Sequence, residues 1–516
     1  MTGLPRRPAA LLALAFAWLA FTTWIRPLAL PDEGRYIGVA WEMVRSGEWL
    51  TPTLDGLPYF HKPPLFYWIT GASLSLFGNV EWAGRVAPWS GACLMVASAF
   101  LFGRRWLGDT VGRAWALVLA TMPLVFMSAQ YSNLDMLVAG WITATILAFA
   151  HASLLPMDDP SRRKWLIAGG ALAAGATLAK GLIGFVLPGM VLIAWLLLAR
   201  RWRRILSLFW WPVLLVFLVV AAPWFAVMQE RFDAFLHYFF VVQHFSRYTQ
   251  AGFNNAHGPW FFPVVLLVFG LPWTLWLTRR APAPADDTAR AVRVLAWVWL
   301  VAIVAFFSLP RSKLVGYVLP AVPPLALLVA LRWQAVRELA GRGAMLARVT
   351  VIVAAITCLV APVAVALAKQ KHTRDLARIV ATQPDRPIAF VRNYYFDLAF
   401  YARLQRPVPV LERWDDKALT QADNWRRELL DASEFLAPGT PSPLLPTSAL
   451  VQANCPGVTS WVVGGSDMKE AFPMLASNAR EVARSRDTVL WEVRDWVPVA
   501  AQCGAGTPSA SSAGKS

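Results

Sequence analysis

Eleven apolar runs occupy the first 370 residues, near 9–25, 82–102, 111–127, 134–155, 165–178, 182–199, 208–228, 259–278, 292–309, 314–331 and 346–368. A bilayer's hydrocarbon core is about 30 Å thick and takes roughly 20 residues of helix to cross, a length that most of these runs approach. So many apolar segments cannot share one water-enclosed core. With 57% hydrophobic residues, the chain reads as a mainly α, polytopic membrane protein with about eleven transmembrane helices. The first run is flanked by Arg6 and Arg7. "TTWIRPLALPDE" follows it with no small-residue cleavage site, so the first run is expected to be a retained helix.

The formal charge of +17 would suit a nucleic-acid binder, but its placement does not. With the N-terminus inside, the inner loops hold Arg104/Arg105, Arg162/Arg163/Lys164, Arg200/Arg201/Arg203/Arg204, Arg279/Arg280 and Arg332/Arg337/Arg342. That is the positive-inside pattern, and it accounts for the basic excess as a topology device. The same count puts two long segments, 27–81 and 229–258, on the outer side. The sparse outer cations run against the bias, and an anion such as a lipid phosphate is the natural reason to keep them.

Near residue 370 the composition changes. Residues 1–370 form the transmembrane part, 373–499 read as a small α/β periplasmic domain, and 500–516 read as a disordered tail. "RPIAFVRNYYFDLAFYARLQRPVPVLE" has a strand–helix–strand pattern, and "TSWVVGG" and "DTVLWEV" add two strand candidates. Cys93 and Cys358 fall in apolar runs as small fillers. Cys455 and Cys503 fall in the exterior part, where a disulfide is permitted and spacing leaves the pairing open.

The ionisable residues concentrate on the outer side. "PDEGRYIGVAWEMVRSG" fits an amphipathic surface helix with Asp32 at its start, either as an N-cap or as a working acid, and with Arg35 one turn on. "GLPYFHKPPLFYW" then holds Tyr59, His61 and Lys62 on an extended, proline-stiffened backbone. "QYSNLDMLVAG" places Asp135 at the outer end of the fourth run, where it suits the positive end of a helix dipole as well as chemistry. "TLAKGLIGFVLP" places Lys180 in an outer turn, where a snorkelling lysine is common. "FLHYFFVVQHFSRYTQ" spaces His244 and Arg247 for one helix face, and "FFSLPRSKLVGYVLP" adds Lys313 and Tyr317. Two carboxylates and several cations on one side of a membrane suit group transfer on a lipid phosphate. The cations hold the phosphate, and an acid orients or deprotonates the acceptor.

These same stretches, in matching order over roughly residues 9–335, resemble the bacterial lipid A aminoarabinose transferases, relatives of the protein O-mannosyltransferases. The resemblance implies a GT-C fold and an inverting transferase that uses an undecaprenyl phosphate-linked sugar at the periplasmic face of the bacterial inner membrane. The best-matching product is 4-amino-4-deoxy-L-arabinose on lipid A. The alternatives are a mannosyl- or galacturonosyl-type transferase acting on protein or lipopolysaccharide core, and, from another class, a lipid transporter or flippase. The resemblance makes Asp32 and Asp135 the essential acids and gives Arg35, Tyr59, Lys62, Lys180, Arg247, Lys313 and Tyr317 to the donor phosphate and substrate. It implies no organic cofactor. Relatives carry Glu where this chain has His61, and there that Glu can hold zinc with a His matching His244. The imidazole pair His61 and His244 is therefore the candidate metal site.

Overall fold

The computed structural model describes residues 7–246, 256–338, 341–368, 371–420, 424–452, 454–473, 477–499 and 503. The chain forms two compact units. One comprises Met1–Pro27 with Phe60–Lys369, and the other comprises Leu28–Tyr59 with Gln370–Ser516. Residues 28–59, which the sequence reading kept with the transmembrane part, thus group with the C-terminal residues.

The first unit is helical. Among the described residues, six helices are long and apolar enough to cross a membrane: Val86–Leu107, Leu134–Leu154, Trp211–Arg231, Asp287–Ser308, Val315–Arg337 and Arg342–Leu367. A seventh span results if Asp109–Thr121 and Pro123–Ala129, bent by 63° relative to each other, count as one. The bend falls where Pro123 lacks the N–H that a continuous helix would need. Pro8–Ala20, Leu65–Phe77 and Ile183–Leu198 are apolar but shorter. Every one of the eleven apolar runs is helical somewhere along its length. The run at 259–278 is divided, with an α-helix Phe261–Phe269 and a 3-10 turn Trp273–Thr278 on either side of Gly270–Pro272. Leu65–Phe77 lies in a segment that the sequence reading treated as an outer loop. The protein is therefore a polytopic membrane protein, and among the described residues several apolar runs form helices that are short or broken at proline.

Helix Leu134–Leu154 is the axis of this unit. Its apolar window is 89% buried, whereas those of Trp211–Arg231 and Arg342–Leu367 are 22% buried and present Leu and Val side chains outward. It packs between Val86–Leu107 and Pro160–Lys180. A Cβ added to Gly140 would lie 2.0 Å from the Gly91 carbonyl oxygen, so the two backbones meet where neither has a side chain. Such crossings suit a bilayer, where helix association relies on close van der Waals contact.

The second unit begins with helix Asp32–Ser46 and a two-stranded hairpin, β1 (Thr53–Leu54) and β2 (Leu57–Pro58). Asp55 and Gly56 form its two-residue loop, both with positive φ (55° and 76°), which is the geometry that favours an Asp-Gly pair. Buried Glu42 anchors the hairpin. Its carboxylate accepts hydrogen bonds from Thr53 Oγ1 (2.7 Å), Asp55 N (2.6 Å) and Gly56 N (2.9 Å). Asp55 Oδ1 in turn accepts from Val408 N at 2.8 Å.

The remaining strands are β3 (Ile388–Val391), β4 (Val410–Glu412), β5 (Leu444–Pro446), β6 (Asn454–Gly465), β7 (Ala479–Ser485) and β8 (Thr488–Trp496). They form one sheet in the order β5-β4-β3-β6-β8-β7. The first four run parallel, and β8 and β7 continue antiparallel. The stretches that read as strands in the sequence fall within β3, β4, β6 and β8. Val391, Leu411, Val462, Val489 and Trp491 build the core on this sheet. Cys455 and Cys503 are joined by a disulfide with Cα atoms 5.7 Å apart.

Burial, followed by the neighbouring Glu42 charge, raises the Asp55 carboxyl well above the ordinary carboxylate range. The folded state therefore holds a proton that the unfolded state releases above the ordinary aspartate pKa. Stability is full below that value and falls as pH rises toward the folded pKa. Asp55→Asn keeps the acceptor for Val408 N without the charge. In thermal unfolding measured from pH 4 to pH 8, this variant should lose part of the wild-type decline in Tm with rising pH.

Candidate active site

Each unit carries an ion-pair cluster built from residues that the sequence singled out. In the first unit, Asp135 stands in the opening turn of helix Leu134–Leu154. Its side chain is not the cap. Asn133 caps the helix, with its side-chain oxygen accepting from Asp135 N at 3.0 Å. That leaves the Asp135 carboxylate to pair with the Lys180 ammonium, which ends helix Pro160–Lys180. The two side chains are only 9% and 13% exposed. Lys180 Nζ also lies 4.5 Å from the centroid of the Tyr317 ring, in cation–π contact. Tyr317 sits on the 3-10 turn Val315–Ala321, and its ring packs 5.7 Å from that of Phe307.

Gly316 makes this arrangement possible. A Cβ there would lie 2.2 Å from Asp135 Oδ2. Lys313 is nearby in sequence but engaged elsewhere: its buried ammonium donates to the His257 carbonyl at 2.9 Å and to the Pro310 carbonyl. No hydrogen bond or ion pair among the described residues joins it to Asp135 or Lys180.

Phe60, His61 and Lys62 also belong to the first unit. Phe60 packs edge-on against Phe232 (4.8 Å) and Phe235 (5.1 Å), and buried His61 lies 6.1 Å, ring to ring, from Tyr238. His244 falls on the π-helix His237–Ser246, but its side chain lies outside the described set, and Arg247 lies outside the described residues altogether. Among the described residues, no three His, Cys, Asp or Glu side chains gather as a metal site would require. The described residues thus supply no group of three ligands that includes His61.

In the second unit, Asp32 opens helix Asp32–Ser46, but it does not cap that helix. Pro31 is the N-cap residue, with no side-chain cap bond. Glu33 instead accepts from Ala29 N at 2.7 Å. Asp32 is paired with Arg35 (3.2 Å), and Arg35 reaches on to Glu428 of helix Trp425–Ser433 at 2.7 Å. Its guanidinium also lies over the rings of Tyr36 (5.6 Å) and Phe396 (5.5 Å). Burial works against the Arg35 charge, but Glu428, Tyr59, Tyr36 and Asp32 outweigh it and hold its pKa above the ordinary arginine value. Tyr59 is almost fully buried in the same unit.

The structure groups the candidates as Asp135–Lys180–Tyr317 in one unit and Asp32–Arg35–Tyr59 in the other. The sequence reading missed Glu428. Nothing in "NWRRELLDAS" distinguishes that acid from its neighbours, and it lies 393 positions from its partner.

Residues 61–226 match the family described as dolichyl-phosphate-mannose-protein mannosyltransferase. The undecaprenyl phosphate-alpha-4-amino-4-deoxy-L-arabinose arabinosyl transferase of Pseudomonas aeruginosa (strain LESB58) is 31% identical over 334 residues, 63% of this chain and 59% of that one. A namesake from Sodalis glossinidius is 35% identical over 316 residues, 59% of this chain and 55% of its own length. The crystal structure of ArnT from Cupriavidus metallidurans bound to undecaprenyl phosphate superposes with a TM-score of 0.77 at 26% identity, covering 95% of this chain and 98% of that one. The chain resembles the aminoarabinose transferases. It spans less than two thirds of the length of the curated relatives that it matches by sequence. The fold likeness nevertheless runs well beyond residues 9–335, through the C-terminal unit.

Gly316→Ala should drive the Asp135 carboxylate from its place and break the pair with Lys180. Breaking one partner of a buried pair costs about 3–5 kcal/mol. Thermal unfolding in detergent should show Gly316→Ala and Lys180→Met each lowering Tm, with the double variant losing much less than the sum.

Proposed function

We infer that this protein is an integral membrane glycosyltransferase that moves a sugar, best matched by 4-amino-4-deoxy-L-arabinose, from undecaprenyl phosphate to lipid A. The observation that carries this reading is the likeness to ArnT over 95% of the chain, together with a paired Asp135–Lys180 cluster where the sequence motifs meet those of that group. The reaction breaks the bond between the sugar C1 and the phosphate oxygen and forms a new bond from C1 to an acceptor oxygen, with inversion. Polyprenyl phosphate leaves with the bonding electron pair.

The residues suit the charge changes of that step. Lys180, held by Asp135 and the Tyr317 face, is a fixed cation for the phosphate, on which negative charge builds as the bond breaks. Arg35, kept ionised by Glu428 and Asp32 in the second unit, is given to donor and substrate binding on the resemblance. Lys62, Arg247, Tyr59 and Lys313 are assigned to donor and substrate binding on the resemblance; the contacts of Lys313 favour a supporting role in its loop. A lipid A phosphate is already ionised at neutral pH and attacks without a base, so Asp32 and Asp135 would position cations and an amino sugar. A hydroxyl acceptor would make one of them the base. The distribution of Lys and Arg supports an inner-membrane, multi-pass protein with these residues and the C-terminal unit, 373–499, on the periplasmic side. The match of residues 61–226 to a mannosyltransferase family favours a second reading, transfer of another sugar from the same class of carrier to protein or lipopolysaccharide core.

Mass spectrometry of lipid A from cells with and without the protein tests the assignment. An added aminoarabinose mass that depends on the protein supports it, and unchanged lipid A sinks it in favour of the second reading. With the donor and acceptor so identified, Asp135→Asn, Lys180→Met and Asp32→Asn should each reduce transfer by about 100-fold or more at unchanged membrane insertion. Full activity in Asp32→Asn would reduce that residue to a partner of Arg35.

A further inference from the structure

Away from these ion pairs, the strand order of the second unit contains a topological switch. From β3 the chain passes to β4 on one side, and it later returns to pair β6 on the other. In parallel sheets the crevice outside the carboxyl ends of two such strands is where ligands bind. A cavity of about 310 Å³ opens there, lined by Arg392 and Asn393 after β3 and by Gly465 and Asp467 at the end of β6. A second cavity of about 270 Å³ adjoins it and shares Lys371, Asn393, Tyr395, Asp487 and Thr488.

We propose that this double cavity binds a phosphorylated saccharide. Its lining has two kinds of chemistry. Lys371, Arg392, Arg426 and Arg486 bring four cations against Asp467 and Asp487 and against Glu412, which pairs with Arg426 at 2.6 Å, leaving one positive charge in excess for a phosphate. Tyr395, Phe396 and Trp425 supply flat apolar faces for the C–H side of a sugar ring. Asn393, Thr488 and the carboxylates offer the paired donors and acceptors that hydroxyl groups need.

The site is also held in shape. Arg392 is bridged to Asp467 at 2.9 Å, and its carbonyl accepts from Arg426 at 3.2 Å. Arg392 and Arg486 both adopt left-handed backbone (φ 58° and 55°), a conformation that non-glycine residues keep only where their surroundings enforce it. The Tyr395 phenol, tied to Asn393 and Thr488, is pushed up to about 12 by burial and so stays a neutral donor at any working pH. The inference does not rest on the transfer reaction, although Pro31, which precedes Asp32, also lines the smaller cavity.

The test is titration calorimetry on the full chain in detergent, in a Lys180→Met background that removes the cation of the proposed transfer site. α-Glucose 1-phosphate should bind saturably. Lys371→Met, at an exposed position, and Trp425→Ala should each weaken binding about tenfold, a loss of about 1.4 kcal/mol. Thermal unfolding checks that each variant remains folded, and Lys371→Met carries the test if Trp425→Ala does not. Binding that is absent, unchanged in both variants, or matched by inorganic phosphate or by glucose alone overturns the proposal. A diphosphorylated glucosamine disaccharide that binds more tightly than glucose 1-phosphate supports a glycolipid headgroup as the source, and equal binding supports a free sugar phosphate.

Discussion

A charge removed from water is stable only beside a partner, and in a chain this apolar that constraint shapes every polar site. Asp135 and Lys180 sit at the adjoining ends of two neighbouring helices, and each is tolerable there because the other is present. Their approach needs Gly316, since any side chain would occupy the space of the carboxylate. It also needs the Leu134–Leu154 and Val86–Leu107 backbones to meet at Gly140 and Gly91, which sets the helix carrying Asp135 deep in the unit. Small residues and paired charges thus work together. The glycines let helices approach, and the ion pair locks the ends that approach each other.

The same logic operates in the C-terminal unit with different materials. Arg35 is satisfied on two sides by Asp32 and Glu428 and on its faces by Tyr36 and Phe396. Glu42 is satisfied by the backbone N–H groups of the Asp55–Gly56 turn. A guanidinium held this way keeps its charge throughout the physiological range. Both acids pair with cations: Asp135 with Lys180, and Asp32 with Arg35.

Lys62, Lys180 and Lys313 stand in the sequence as cations set against the positive-inside bias, and the structure joins Lys180 directly to Asp135 and Tyr317. Lys313 was read as one of the same group because it is equally basic and close in sequence. Its carbonyl partners were not visible, since a backbone acceptor has no sequence signature. Glu428 escaped for a related reason: an acid on an amphipathic helix looks like solvent-facing charge until its partner is known.

By itself the sequence determined that this chain is a many-helix membrane protein with a small strand-bearing unit after residue 370. Hydropathy and side-chain periodicity are local properties, and the solvent reads them segment by segment. The tertiary structure alone decided that residues 28–59 join the C-terminal unit and that Cys455 meets Cys503. It also decided which acid neutralises which base, and that β6 returns to the far side of β3. Those outcomes depend on contacts between residues tens to hundreds of positions apart, and composition and spacing carry no record of such distances.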